Sequence, residues 1–199
     1  MSSEPIPKVI LISGPNGAGK STCAPSLLRG PFDVPHFVNA DAIARGLSGF
    51  ASELVALEAG RVMLTRLDAL AAARESFAFE TTLASRTFAP RMRTLMAAGY
   101  AFHLIYLWVV SPELSILRIQ DRVRLGGHHV PDDTVRQRYR RGLRNFFTLH
   151  RPIATSWRLY DASRPTGPEL VATAEGGAET IFRPELWSLI NKEAGHVPT

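Results

Sequence analysis

The apolar run Lys8 to Ser13 (KVILIS) leads directly into the glycine-rich segment Gly14 to Thr22 (GPNGAGKST), and no other stretch constrains the fold as strongly. A run that is apolar on both of its alternating faces predicts a strand buried under helices on both sides, the habit of a parallel sheet. An apolar-periodic segment follows and breaks near Gly30-Pro31, so the order is strand, loop, helix. Gly14 to Ser21 fits G-x-x-x-x-G-K-[ST] in the strand-to-helix setting that gives this pattern its meaning. Gly14, Gly17 and Gly19 let the backbone curl so that successive N–H groups of the expected nucleotide-binding loop, which runs through Pro15, Asn16 and Ala18 to Thr22, point inward at a phosphate, Pro15 itself having no N–H to give. The N-terminus of the next helix adds its dipole. Lys20 is expected to reach the β and γ oxygens of a nucleotide and Ser21 to ligate Mg²⁺. Pro25 falls soon after the loop and is expected to kink the helix.

Further strands are predicted at His36 to Asn39, Phe77 to Glu80, Tyr100 to Val110 and Trp157 to Tyr160, with a long helix from Glu53 to Arg74 whose apolar positions are Leu54, Leu57, Met63, Leu64, Leu67 and Leu70. Ser111-Pro112 opens another helix, serine as cap and proline at the first position, which runs to about Leu125 and stops at Gly126-Gly127. A basic amphipathic helix begins near Asp132, with Val135, Tyr139, Leu143, Phe146 and Phe147 on its apolar stripe. Leu170 to Ala174 and Glu179 to Phe182 predict a small hairpin, and a closing helix starts at Pro184, so hairpin and helix occupy about 168–194. Alternating strands and helices predict an α/β three-layer sandwich around a mostly parallel five-stranded sheet. No repeat or linker divides the 199 residues, which are expected to form one domain.

Composition narrows the function classes. With Cys23 as the only cysteine, a disulfide-stapled or zinc-cysteine scaffold is excluded and a cytoplasmic setting is expected. The run from Tyr100 to Val110 is too short to cross a bilayer, and Met1 to Lys8 lacks a signal-peptide pattern. The net charge of +5 is unusual in its makeup: of 23 basic residues only Lys8, Lys20 and Lys192 are lysines, and eleven arginines lie between Arg118 and Arg164. Guanidinium matches phosphate oxygens, so the partner carries phosphate, or else the arginines line a solvated helix face.

The phosphate loop alone does not say whether a phosphoryl group goes to water or to an acceptor. An N-K-x-D base-reading motif, expected of a switch GTPase, is absent, and no strand ends in the acidic pair of a helicase or transporter ATPase. Nucleic-acid binding is not expected, because Tyr139, Phe146 and Phe147 fall on the core stripe and leave the basic helix without exposed stacking aromatics.

GPNGAGKST, FVNAD (Phe37 to Asp41), FAFETTL (Phe77 to Leu83) and RVRLGGHHVP (Arg122 to Pro131), in that order, resemble the zeta-toxin family of P-loop kinases, especially its short stand-alone members, over about the first 160 residues. The resemblance implies a nucleotide-kinase-like fold with a helical lid at about 122–138, and a kinase that uses ATP or GTP with Mg²⁺. A UDP-N-acetyl sugar is the leading small-molecule acceptor, and an antitoxin protein is a partner. It also implies Asp41 as the base that takes the proton of the attacking hydroxyl; read from the residues alone, the same carboxylate serves equally as a Mg²⁺ partner or as a helix cap. Glu80, Thr82 and Arg86 are the implied substrate contacts. Arg122 and Arg136 are the implied lid pair acting with Lys20 and Asp41 in catalysis, with Arg124, Arg138 and His128 in reserve. Two departures fall in the substrate half: Asp41 is followed by Ala42 and Ile43 rather than an aromatic and a base, and Glu80 by Thr81 rather than glycine.

Overall fold

The computed structural model describes residues 5–29, 32–48, 55–127 and 129–195. The KVILIS run forms β1 (Lys8–Ser13), with Val9 to Ile12 wholly buried. It pairs in parallel with β3 (Phe77–Thr81) on one side and β4 (Ala101–Trp108) on the other. With β2 (His36–Val38), β5 (Ser156–Asp161), β6 (Glu169–Glu175) and β7 (Ala178–Ile181) the sheet order is β2-β3-β1-β4-β5-β6-β7.

The sheet therefore has seven strands rather than five. The C-terminal hairpin is no separate appendage: β6 runs antiparallel along β5, Trp157 opposite Ala174, and so continues the parallel part of the sheet. Its Val171 and Ala172 are buried, and the backbone groups of β5 that would otherwise form an open edge are paired.

Among the described residues seven α-helices cover the sheet: α1 (Lys20–Leu28), α2 (Ala40–Leu47), α3 (Ala56–Ala72), α4 (Phe88–Ala97), α5 (Pro112–Arg124), α6 (Asp132–Asn145) and α7 (Pro184–Glu193). Strand side chains alternate between two layers. Val9, Leu11, Phe77, Phe79 and Phe102 pack against Met63 and Leu67 of α3, Met92 of α4, Leu143 of α6 and Trp187 of α7. Ile10, Ile12, Ala78, Ile105 and Leu107 face Ala24 and Leu28 of α1. Among the described residues no helix is long and apolar enough to cross a membrane.

Several expectations shift in detail. Glu53 and Leu54, placed at the start of the long helix, lie outside the described residues, as do Gly30 and Pro31; α3 is described from Ala56. Its Leu57 and Leu64 point to solvent, and the buried stripe is Ala59, Met63, Leu67 and Leu70. At Gly60, which interrupts the helical pattern, a Cβ would meet no heavy atom of the described residues within 4 Å. Pro25 sits inside α1 without ending it and leaves the Ser21 carbonyl without its usual donor. The helix α4 has no counterpart in the periodicity reading. Its Pro90 lies in the first turn, where a missing N–H costs nothing, and Ala89, Met92 and Leu95 are its buried side. The serine cap of α5 is present, Leu114 N donating to Ser111 Oγ at 3.1 Å.

Candidate active site

The phosphate loop leaves the C-terminal end of β1, where the chain order reverses between β3 and β4 and an open α/β sheet offers its crevice. Its curl needs glycine at two places. Gly14 has φ +138° and lies against β4, so that a Cβ would sit 2.3 Å from the Leu107 carbonyl oxygen; Gly17 has φ +75°, and a Cβ would sit 2.8 Å from the Ser115 oxygen. The first intrahelical bond of α1 is Cys23 N to Gly19 O at 2.9 Å. The N–H groups of Lys20, Ser21 and Thr22 consequently have no acceptor within their own helix and face an anion at the loop.

A cleft of about 340 Å³ opens at the loop, lined among others by Lys20, Ser21, Asp41, Glu80, Arg118 and Arg122. Ser21 Oγ donates to the Glu80 carboxylate at 2.9 and 3.1 Å and accepts from Asn39 Nδ2 at 3.1 Å. Asn39 also caps α2, its Oδ1 accepting from Ala42 N at 2.9 Å. The capping role open to Asp41 thus belongs to Asn39, and the Asp41 carboxylate, in the first turn of α2, is exposed and lines the cleft. Lys20 Nζ donates to the carbonyls of Gly14 and Pro15 at 3.0 and 2.9 Å. Burial lowers the pKa of Lys20, and the Glu80 and Asp41 carboxylates oppose that shift. Burial likewise raises the pKa of Glu80, against the pull of Lys20.

No group of three or more His, Cys, Asp or Glu side chains forms a metal cage among the described residues. The oxygen donors of Ser21 and Glu80 nevertheless suit Mg²⁺, a hard cation that takes one or two protein oxygens and completes its shell with phosphate and water.

The lid arginines separate by face. Arg122 lines the cleft, and Arg138 Nη1 lies 3.5 Å from Asn16 Oδ1 of the phosphate loop. These two guanidinium groups are near enough to act on Lys20. Arg136 is turned away: its guanidinium lies 3.5 Å from Glu113 and 3.4 Å from Asp133. The expected pair Arg122 and Arg136 is therefore not brought together at the phosphate loop, and Arg138 stands in the second position. The helical period contains the reason. Val135, Arg138, Tyr139 and Gly142 share the inward face of α6, whereas Arg136 is rotated by about 100° from its buried neighbour Val135 and by about 200° from Arg138. Arg124 is held by Asp121 at 3.1 Å on the surface, and His128 lies outside the described residues.

Two of the expected substrate contacts also lie elsewhere. Thr82 Oγ1 accepts from Ala84 N, and the Thr82 carbonyl abuts α6 so closely that a Cβ on Gly142 would be 2.3 Å from its oxygen. Arg86 lines a second cavity with Arg141 and Arg144. Sequence reasoning passed over Arg118, which donates to the carbonyls of Gly17 at 3.4 Å, Ala162 at 2.8 Å and Ser163 at 2.7 Å and so joins α5 to the phosphate loop and to the end of β5. Its signal was the spacing Ser111, Ser115, Arg118, one side of α5. A larger concavity of about 650 Å³, between Phe182 and Leu189, is remote from this chemistry, and its Arg183 is taken up by Glu169 at 2.7 Å.

Residues 34–163, well over half of the chain, match the family described as Zeta toxin. The matched span begins beyond the phosphate loop, so loop and match are separate observations. An uncharacterised protein of Haemophilus influenzae is 30% identical over 132 residues, which cover 66% of this chain and 92% of that one. Among solved structures, the AvrRxo1-ORF1:AvrRxo1-ORF2 complex with sulphate ions superposes with a TM-score of 0.75 at 18% identity, covering 97% of this chain and 66% of that one. The same pair has been solved with ATP. The PezAT toxin–antitoxin system of Streptococcus pneumoniae superposes with a TM-score of 0.64 at 16% identity, covering 98% of this chain and 88% of that one.

Proposed function

The chain belongs to the zeta toxin family, and from that premise we propose that it is a kinase that moves the γ-phosphate of ATP or GTP to a hydroxyl of a small molecule, a UDP-N-acetyl sugar being the leading acceptor. One observation carries the reading: Lys20, Ser21, Asp41, Glu80 and Arg122 line a single cleft at the mouth of β1 and β3. A phosphate loop needs no second carboxylate to bind a nucleotide. A carboxylate across the cleft from Lys20 is what an attacking hydroxyl needs.

In the proposed reaction the acceptor hydroxyl oxygen forms a bond to the γ-phosphorus while the bond to the β–γ bridging oxygen breaks, and the nucleoside diphosphate leaves with that oxygen. The hydroxyl proton passes to the Asp41 carboxylate. Lys20, Arg122 and Arg138 stabilise the charge on the transferring group, and the N–H groups that open α1 hold the β-phosphate. Ser21 and Glu80 would hold Mg²⁺, which neutralises phosphate charge when bound. Glu80 thus serves the metal side of the cleft, while Thr82 and Arg86, as substrate contacts, would act from the loop after β3. That the AvrRxo1-ORF1:AvrRxo1-ORF2 pair binds ATP supports the donor, and that it and PezAT are two-component systems supports an antitoxin as partner.

Replacing Asp41 by Asn tests the base. Transfer is expected to fall by about 10³-fold with ATP affinity within about twofold of wild type, because the carboxylate acts on the acceptor proton and not on the nucleotide. Unchanged turnover would remove Asp41 from the mechanism.

A further inference from the structure

The second cavity, about 360 Å³, is lined by Ala84, Arg86, Arg141, Arg144, Asn145, Thr148 and Leu149, and carries three arginines with no carboxylate beside them. Among the described residues none of these three guanidinium groups has an ion pair or hydrogen bond, whereas Arg91, Arg124, Arg136, Arg151, Arg164 and Arg183 are each held by an acid. They come from two elements. Arg86 is on the loop after β3, and Arg141 and Arg144 are on the last turn of α6, where the helix widens into a π-helical turn over Phe146–His150.

The junction between those elements is fixed. The buried Asn145 donates Nδ2 to the Leu83 carbonyl at 2.7 Å, and Leu83 itself is held at φ +57°, a conformation that a leucine adopts only under constraint. Gly142 closes α6 onto the Thr82 carbonyl on the side toward the phosphate loop. Three exposed arginines from two elements thus line one cavity beside this fixed seam, and its lining is distinct from that of the Lys20 cleft. An anion of two or more charges is attracted to such an array, and a planar guanidinium fork matches phosphate oxygens best.

We infer that this cavity is a phosphate-binding site, distinct from the nucleotide loop, in which Arg86, Arg141 and Arg144 take a phosphomonoester or diphosphate group. That group is borne either by the acceptor or by a separate ligand. Glu80 and Ala84 are four residues apart, so a chain span of at most about 15 Å separates the two sites, within reach of one phosphorylated metabolite. The site stands on the arginine geometry and does not depend on the kinase reading, so its test does not require turnover.

Inorganic pyrophosphate is the probe. It is titrated calorimetrically into the full chain saturated with Mg²⁺ and a non-hydrolysable ATP analogue, so that the phosphate loop is already filled. One equivalent is expected to bind, and the affinity is expected to fall at least tenfold in Arg141→Gln/Arg144→Gln and, from the other element, in Arg86→Gln, with affinity for the ATP analogue unchanged. The source is read by whether pyrophosphate competes with a nucleotide sugar for the saturated protein: competition assigns the site to the acceptor, and simultaneous binding assigns it to a second ligand. No pyrophosphate binding once the loop is filled, or equal affinity in all three proteins, would overturn the site whether or not the protein transfers phosphate.

Discussion

Arg136 and Arg138 lie two positions apart on one helix and have opposite surroundings. Arg138 reaches Asn16 of the phosphate loop, and Arg136 is spent on Glu113 and Asp133 at the surface. Arg138→Ala is expected to lower kcat by about 10²-fold or more through lost stabilisation of the transferring phosphoryl group. Arg136→Ala removes only half-exposed ion pairs and should change kcat by less than about threefold; steady-state kinetics on the two variants checks the assignment. A second residue bears on stability. His150 is fully buried, neither ring nitrogen has a hydrogen-bond partner among the described residues, and burial, with Arg93 nearby, lowers its pKa from 6.5 to about 4. In the unfolded chain the same ring titrates near 6.5, so between those values the unfolded state binds the extra proton. The stability it allows is complete above about pH 6.5, declines as the pH falls toward about 4 and then levels off, a loss of about 3 kcal/mol. Urea unfolding across that range should show this slope in the wild-type protein and a shallower one in His150→Leu.

At the scale of elements, the helix α3 carries a glycine that nothing requires. Among the described residues a Cβ on Gly60 meets no heavy atom within 4 Å, so Gly60→Ala is expected to stabilise the protein by about 1 kcal/mol and raise Tm by about 2–4 °C, measured by thermal unfolding. The same comparison explains what could be read from the chain in advance. Local signals were sufficient for β1, the phosphate loop, the serine cap of α5 and the stripe of α6, because each depends on neighbours within one turn or one strand. The hairpin's attachment to β5 was not legible, since pairing between Trp157 and Ala174 is a tertiary event with no local mark. The helix α4 was hidden by Pro90 and two arginines around a narrow buried face of Ala89, Met92 and Leu95. Within the candidate site, that Lys20, Ser21, Asp41 and Glu80 share one cleft was legible because the phosphate loop and the strand ends define it. Arg136 was preferred over Arg138 because motif spacing was weighed above helical phase.

Across the whole molecule, the two ends of the sheet do different work. The nucleotide side is open and charged, while the C-terminal side is a packed aromatic seam in which the Arg151 guanidinium lies over Phe147, Trp157 and Trp187, 4.8–5.5 Å from the ring centroids, and also pairs with Glu179. Trp157 and Trp187 stack with an interplanar angle of 9°, and Trp108 Nε1 donates to Glu193 at 3.0 Å. β5, β7 and α7 are thereby tied to the π-helical turn that ends α6, which anchors the C-terminal end of that helix, while Arg138 in its middle reaches the phosphate loop. Near the N-terminal end of α6, Ile116, Ile119, Val130 and Val135 form a small cluster of their own. In the proposed reaction a helix anchored in this way would close over a bound nucleotide and exclude water, which suits transfer to an acceptor rather than hydrolysis. The fate of the γ-phosphate tests that claim most directly. With ATP labelled in the γ position, Mg²⁺ and a pool of nucleotide sugars, the label should appear as a phosphomonoester on an organic acceptor, at a rate that depends on the acceptor. Release of the label solely as inorganic phosphate, at a rate indifferent to any acceptor, would contradict it.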